Sequence, residues 1–223
     1  NASAQVPGLR LAGERENGRV NPFSRSPFLL QSTETTGNWR VWHCSAILSS
    51  DSAGALSKIQ SVKTALVVYG GWEGHEPRPV AELLAGALRR HGVEVTLADT
   101  LDAFRDLDPQ RPPDLIVPVW TMGAITAEQL RPLLAAVRQG SGLAGCHGGM
   151  CDAFRNETEY HFMTGGQWVA HPGNDGRLYR VNIVDANPIT EGVNDFDVVS
   201  EKYYMHVDPA SRVLATTSFE DDG

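Results

Sequence analysis

Apolar and polar positions follow a recognisable period only from Lys63 onward; before it no helix or strand period survives more than a few residues. Thr64-Ala-Leu-Val-Val-Tyr69 is a continuous apolar run with β-branched residues, the pattern of a strand buried on both faces. Gly70 to His75 then reads as a glycine-rich loop. A helix begins near Pro77 to Pro79, with Val80, Leu83, Leu84, Ala87 and Leu88 on one face and Gly92 closing it after His91. Val93–Leu97 alternates as a second strand, and Leu115–Trp120 is a third. Thr126-Ala-Glu-Gln129 is a capping box opening a helix with Leu130, Leu133, Leu134 and Val137 inward and Pro132 early in its course. Gly142–Cys146 reads as a fourth strand that breaks at Cys146-His147 into a short helix through Gly148 and Gly149.

Three strand–helix units in succession predict an α/β domain: a flavodoxin-like, doubly wound, mostly parallel sheet with helices on both faces. Ligands in such sheets bind beyond the carboxyl ends of the strands. That edge gathers three loops, Gly70 to His75, Trp120 to Gly123, and Cys146 to Asp152. After Asp152 the alternation loosens, and residues 153–178 are rich in aromatics, Gly and His, too long for a plain connection. Strand character returns at Tyr179–Val184, Val198-Val199 and Val213–Thr217.

Composition adds a boundary and removes some functions. Residues 1–62 carry 6 basic and 4 acidic residues, the remainder 13 and 23. The chain divides into an N-terminal extension, residues 1–62, expected to be disordered or non-native, and a domain over residues 63–223. Val62 is the expected true start, with residues 1–61 as translated upstream sequence. The ending Glu220-Asp-Asp-Gly223, directly after a predicted strand, predicts a domain cut short at its C-terminus. A net charge of −8 argues against nucleic acid as a partner, and no apolar run is long enough to make a membrane one. Three cysteines (Cys44, Cys146, Cys151), without metal-finger spacing or a secretory signal, predict a cytoplasmic location. A homo-oligomer is favoured by base rate alone.

The chemistry-bearing residues concentrate at the predicted carboxyl edge. Cys146 stands at the strand-to-helix break, where enzymes expose a nucleophile beside backbone N–H donors. The alternative is a cysteine that simply packs. His75, His147, His171 and His206 all fall in loop-like contexts. Converging imidazoles, with Asp152 or Glu201 nearby, would hold a divalent transition metal such as zinc, or supply general acid and base groups. None of these pairs has the i, i+4 helical spacing of a strong zinc motif, and each histidine alone reads equally as a turn cap. His91 and His161 are assigned to that role. Trp72, Trp120 and Trp168 sit at loops or strand ends, where rings stack on sugars or pack in a core. Glu201, Tyr203 and Tyr204 follow a strand and offer hydrogen bonds to hydroxyls. Gly70-Gly71 and Gly148-Gly149 match neither nucleotide-loop spacing.

Four pieces, Ala65–His75, Gly142–Gly149, Gly165-Gly-Gln-Trp168 with His171-Pro172, and Asp197–Glu201 leading to Tyr203 and His206, together resemble the ThuA-like (trehalose utilisation) family of the class I glutamine amidotransferase-like superfamily. The resemblance implies a flavodoxin-like fold and a role in carbohydrate catabolism beside dehydrogenases that make 3-keto disaccharides. The substrate it implies is a small sugar, a 3-keto disaccharide or glycoside. It places His147, His171 and Glu201 in the site, with His75 and His206 close by. Trp72, Glu73, His75, Trp120, Trp168 and Tyr203 are the candidate substrate contacts. No His-x-Glu follows Cys146, so the chain is not expected to be a functional glutaminase. Cys146-His147-Gly148 is also similar to the elbow of PfpI-type peptidases, which keeps a cysteine amidase or peptidase as the alternative enzyme. A non-catalytic sugar-binding domain is the third reading.

Overall fold

The computed structural model describes residues 25–33 and 62–219. Its centre is a parallel sheet of four strands, β2 (Thr64–Gly71), β3 (Glu94–Ala98), β4 (Leu115–Thr121) and β5 (Gly142–Leu143), in the order β3-β2-β4-β5. The apolar run of β2 explains its central place, because side chains that alternate faces must all find cover. Val67 and Val117 pack with Ala81 of α1 (Pro77–Arg90). Leu66, Val68 and Ile116 pack with Phe104 of α2 (Asp102–Arg105) and with Leu130, Leu133 and Leu134 of α3 (Ala127–Gln139).

The helix signals act as their chemistry requires. Thr126 and Gln129 form the reciprocal capping box of α3, and Gly140 ends the helix in the left-handed conformation. In α1 the inward stripe is Ala81, Leu84, Ala85 and Leu88, which keeps Leu84 and Leu88 of the predicted face, whereas Leu83 is 69% exposed. Leu83 lies two residues from Ala81, about 200° around the helix, on the far side from the sheet.

β5 is much shorter than the predicted strand through Cys146. Pro118 of β4 supplies the reason. Ile116 pairs towards β5, accepting from the Ala144 N–H at 3.1 Å. Two residues on, Pro118 faces the same side and has no N–H to give. Pairing stops, the chain leaves the sheet, and the gap beside Pro118 is filled by α4 (Gly148–Cys151). That packing admits no side chain: a Cβ on Gly149 would lie 2.0 Å from the Pro118 carbonyl oxygen, and one on Gly148 2.2 Å from Thr121 Oγ1.

The remainder is antiparallel. β7 (Arg177–Ile183) and β8 (Phe196–Ser200) join β10 (Ser211–Ser218) and β1 (Arg25–Thr33) in the order β1-β10-β7-β8. β1 lies inside the segment read as having no period; it runs along β10 with a register shift between Phe28 and Gln31. A strand added to an existing edge is held by backbone pairing, which needs no period of its own. The aromatic-rich stretch after Asp152 contains α5 (Thr158–Thr164) and β6 (Gly166–Ala170), and β6 pairs with β9 (Tyr204–Val207). No helix among the described residues is long and apolar enough to cross a membrane.

Gly149→Ala is expected to destabilise the protein by about 1–3 kcal/mol, because the added methyl meets backbone that cannot step aside. Urea unfolding checks this; an unchanged midpoint would show that α4 is free to move off β4.

Candidate functional site

The break between β5 and α4 turns at His147. Its φ of 52° and ψ of −129° are those of the first central residue of a type II′ turn, a place glycine usually takes. A non-glycine residue held there costs on the order of 1–3 kcal/mol. The glycine spacing agrees: in Gly145-Cys146-His147-Gly148-Gly149 the central residue of the Gly-x-residue-x-Gly pattern is His147. The position assigned to Cys146 from sequence thus belongs to its neighbour.

His147 meets two partners from the segment between β8 and β9. Its Nε2 bonds Glu201 Oε2, and its Nδ1 lies 3.2 Å from the Tyr203 hydroxyl. Burial, and then the Glu201 charge, push the Tyr203 phenol well above its ordinary pKa, so the hydroxyl keeps its proton and stays a hydrogen-bonding group between Nδ1 and Glu201. On the other side of the ring, Nε2 faces the Glu201 carboxylate, which can only accept, so Nε2 is the nitrogen that carries a proton in this contact. Tyr203, His147 and Glu201 therefore form one hydrogen-bonded group. Glu201 is fixed from behind by Tyr179, whose hydroxyl donates to the Glu201 carbonyl at 3.0 Å.

His75 closes the group from the loop after β2. Parallel pairing sets Gly71 opposite Thr121, which brings the loop over the end of β4, and His75 Nδ1 rests 2.9 Å from Thr121 Oγ1. Its Nε2 lies 4.0 Å from Glu201 Oε2, and its ring meets that of His147 edge-on at 4.3 Å between centroids. Burial lowers the His75 pKa below 6.5, and the neighbouring His147 lowers it further, against an opposing pull from Glu201. The ligand atoms of His75, His147 and Glu201 lie within 4.8 Å of one another. They line a cavity of about 210 Å³ together with Trp120, Thr121 and Cys146. The larger hollow, about 640 Å³ around Ile183 to Val193, holds none of these groups.

The other candidates fall into place around this centre. His171 lies behind Tyr203, its ring stacked at 6.2 Å, and Trp168 is beside His171 at 5.5 Å. His206 is exposed and sits on β9 next to the buried Met205, so it projects from the opposite face of the ribbon. Neither histidine belongs to the three-residue group. Trp72 packs edge-on against His75 at 4.5 Å and is 50% exposed, and Glu73 beside it is exposed. The Cys146 side chain reaches solvent, yet the protein packed about it pushes the thiol pKa up. Asp152 is buried and bonded to Arg155, whose guanidinium lies 4.3 Å over the Trp168 ring. Gly70 and Gly71 seat the Trp120 side chain and the Thr121 backbone; like Gly148 and Gly149 they serve close packing.

Thr121 and Tyr179 are parts of the site that the sequence did not single out. Thr121 was legible as the residue that ends the third apolar run, one step beyond Trp120. Tyr179 reads as an ordinary strand aromatic, and nothing in the sequence ties it to Glu201.

The model of the ThuA family, described as trehalose utilisation, matches residues 64–222. No curated protein matches the chain. Among solved structures, a ThuA-like protein from Bacteroides uniformis aligns with a TM-score of 0.53 at 16% identity, over 75% of this chain and 72% of that one. A ThuA-like protein from Parabacteroides merdae aligns with a TM-score of 0.53 at 19% identity, over 70% and 68%. At such identities the likeness speaks for the fold.

His75 prefers to be neutral when folded, so below 6.5 the unfolded chain takes up a proton that the native state resists. Its contribution makes stability rise with pH from the lowered native pKa up to 6.5, and carries no penalty above. His75→Gln is expected to flatten the pH dependence of unfolding in that window and leave it unchanged above pH 7. Urea titrations of both proteins at a series of pH values check this; parallel curves would contradict it.

Proposed function

Because the chain belongs to the ThuA (trehalose utilisation) family, we propose that it is an enzyme of carbohydrate catabolism. Its substrate is an oxidised sugar, a 3-keto disaccharide or glycoside. Three ionisable side chains, from segments as far apart as residues 75 and 201, converge within 4.8 Å in one cavity, and this observation carries the reading. The cavity lies at the carboxyl edge between β2 and β4. In a flavodoxin-like, doubly wound reading of the strand order β3-β2-β4-β5, that edge corresponds to the switch point, where such folds bind ligands.

A keto group at C3 makes the C2–H bond acidic. The Glu201 carboxylate, held by the His147 Nε2–H, is placed to take that proton. The electron pair then forms the C1–C2 double bond, the C1–oxygen glycosidic bond breaks, and the departing oxygen collects a proton. Neutral His75, with its Nε2 towards Glu201, is the group suited to proton exchange at the oxygens. If instead the electron pair moves onto the ketone oxygen, a proton is delivered to C3 and the C2 hydroxyl gives up its own, the same group converts the 3-keto sugar to its 2-keto isomer. Two imidazole nitrogens and a carboxylate also form a donor set that suits zinc or another divalent transition metal. Such an ion, when bound by His75, His147 and Glu201, would polarise the ketone.

The cysteine alternative fits the site less well. The strained elbow holds His147, no base touches the Cys146 thiol among the described contacts, and burial disfavours its thiolate.

His147→Ala is expected to lower kcat/KM on a 3-keto disaccharide by about 10²–10⁴ with an unchanged circular dichroism spectrum. Cys146→Ser is expected to stay within a few-fold of the parent. Full loss in Cys146→Ser with activity in His147→Ala would transfer the chemistry to the thiol. Elemental analysis of both proteins bears on the ion: near-stoichiometric zinc lost on His147→Ala would place it on the same residues.

A further inference from the structure

The cavity beside His147 is small for the substrate proposed above. Its volume of about 210 Å³ falls below the roughly 300–1,000 Å³ of sites that enclose drug-sized ligands. One sugar ring fits such a space, and a two-ring substrate leaves its second ring outside. An exposed aromatic surface adjoins the cavity through His75. His75 forms part of the cavity wall, and the indole of Trp72 packs edge-on against the His75 ring, 4.5 Å away at 67°. Trp72 is anchored by its backbone, whose N–H donates to the Thr121 carbonyl at 3.2 Å. Its indole rests on Gly74, where a Cβ would come within 2.4 Å of the Trp72 ring carbon Cζ2. One side of the indole is therefore seated on Gly74 and His75, while half of the residue stays open to solvent.

An exposed indole with a fixed orientation offers a flat apolar surface, and the C–H face of a pyranose is its natural complement. We propose that Trp72 is the platform for the second, unoxidised ring of a disaccharide whose oxidised ring occupies the cavity. This inference rests on the sugar-processing reading and adds its specificity: the site distinguishes two-ring from one-ring sugars through a residue outside the reacting centre.

Unoxidised sugars lack the ketone that the proposed chemistry requires, so trehalose and glucose serve as non-reacting probes in calorimetric titrations of the full chain. The parent is expected to bind trehalose about tenfold more tightly than glucose. Trp72→Ala is expected to bring the two within about twofold by weakening trehalose alone, and Trp72→Phe to retain most of the difference. Equal affinities in the parent would overturn the platform, and so would a Trp72→Ala loss shared by glucose. Saturable binding in the expected pattern, without turnover of a 3-keto disaccharide, would overturn the functional reading and leave the platform standing. No saturable binding of either sugar, with turnover of a 3-keto disaccharide intact, would overturn the platform and leave the functional reading standing.

Discussion

The site depends on how closely α4 approaches the end of β4. Pro118 ends the pairing with β5, and the space beside it is taken by backbone alone, at Gly148 and Gly149. With those two residues pressed against Pro118 and Thr121, the chain must turn within one residue, and the turn forces His147 to a positive φ. Strain of that kind persists only where surrounding packing over-determines the backbone. Here the packing is the α4–β4 contact, reinforced by the Cys151 thiol donating to the His147 carbonyl at 2.9 Å. The imidazole is thereby raised above the sheet edge.

A raised imidazole has little use unless its protons are directed, and the antiparallel part of the fold does this. Glu201 and Tyr203 lie on one short segment and grip the two ring nitrogens, with Tyr179 holding the segment's backbone. His75 comes from the opposite side, on a loop fixed by Thr121. The parallel sheet supplies two imidazoles and the antiparallel sheet supplies the carboxylate, so neither half alone contains the group.

The parallel half was the more legible in the sequence. Thr64–Tyr69 and Leu115–Trp120 are uninterrupted apolar runs, and Thr126 with Gln129 carries a capping signal that only a helix start satisfies. What escaped was information held between elements. The early end of β5 follows from Pro118, twenty-odd residues upstream, and is invisible in Gly142–Cys146 itself. β6 and β9 pair across some forty residues, and their short segments show no alternation to mark them. The site was legible as a set of residue types but not as an arrangement. His75, His147, Glu201 and Tyr203 converge, whereas strand alternation turns His206 away and His171 stacks on Tyr203 outside the three-residue group. The glycine spacing around His147 carries the elbow signal, but the chemistry of cysteine set the expected elbow at Cys146, one position too early.

If His147 and Glu201 act as one unit, removing either should forfeit what the pair provides. The most direct measurement is a double-mutant cycle of His147→Ala and Glu201→Gln on kcat/KM for a 3-keto disaccharide. The account predicts strong non-additivity, with the double variant no more than a few-fold below the worse single one. Losses that multiply independently would contradict it, showing two separate contributions rather than one hydrogen-bonded centre.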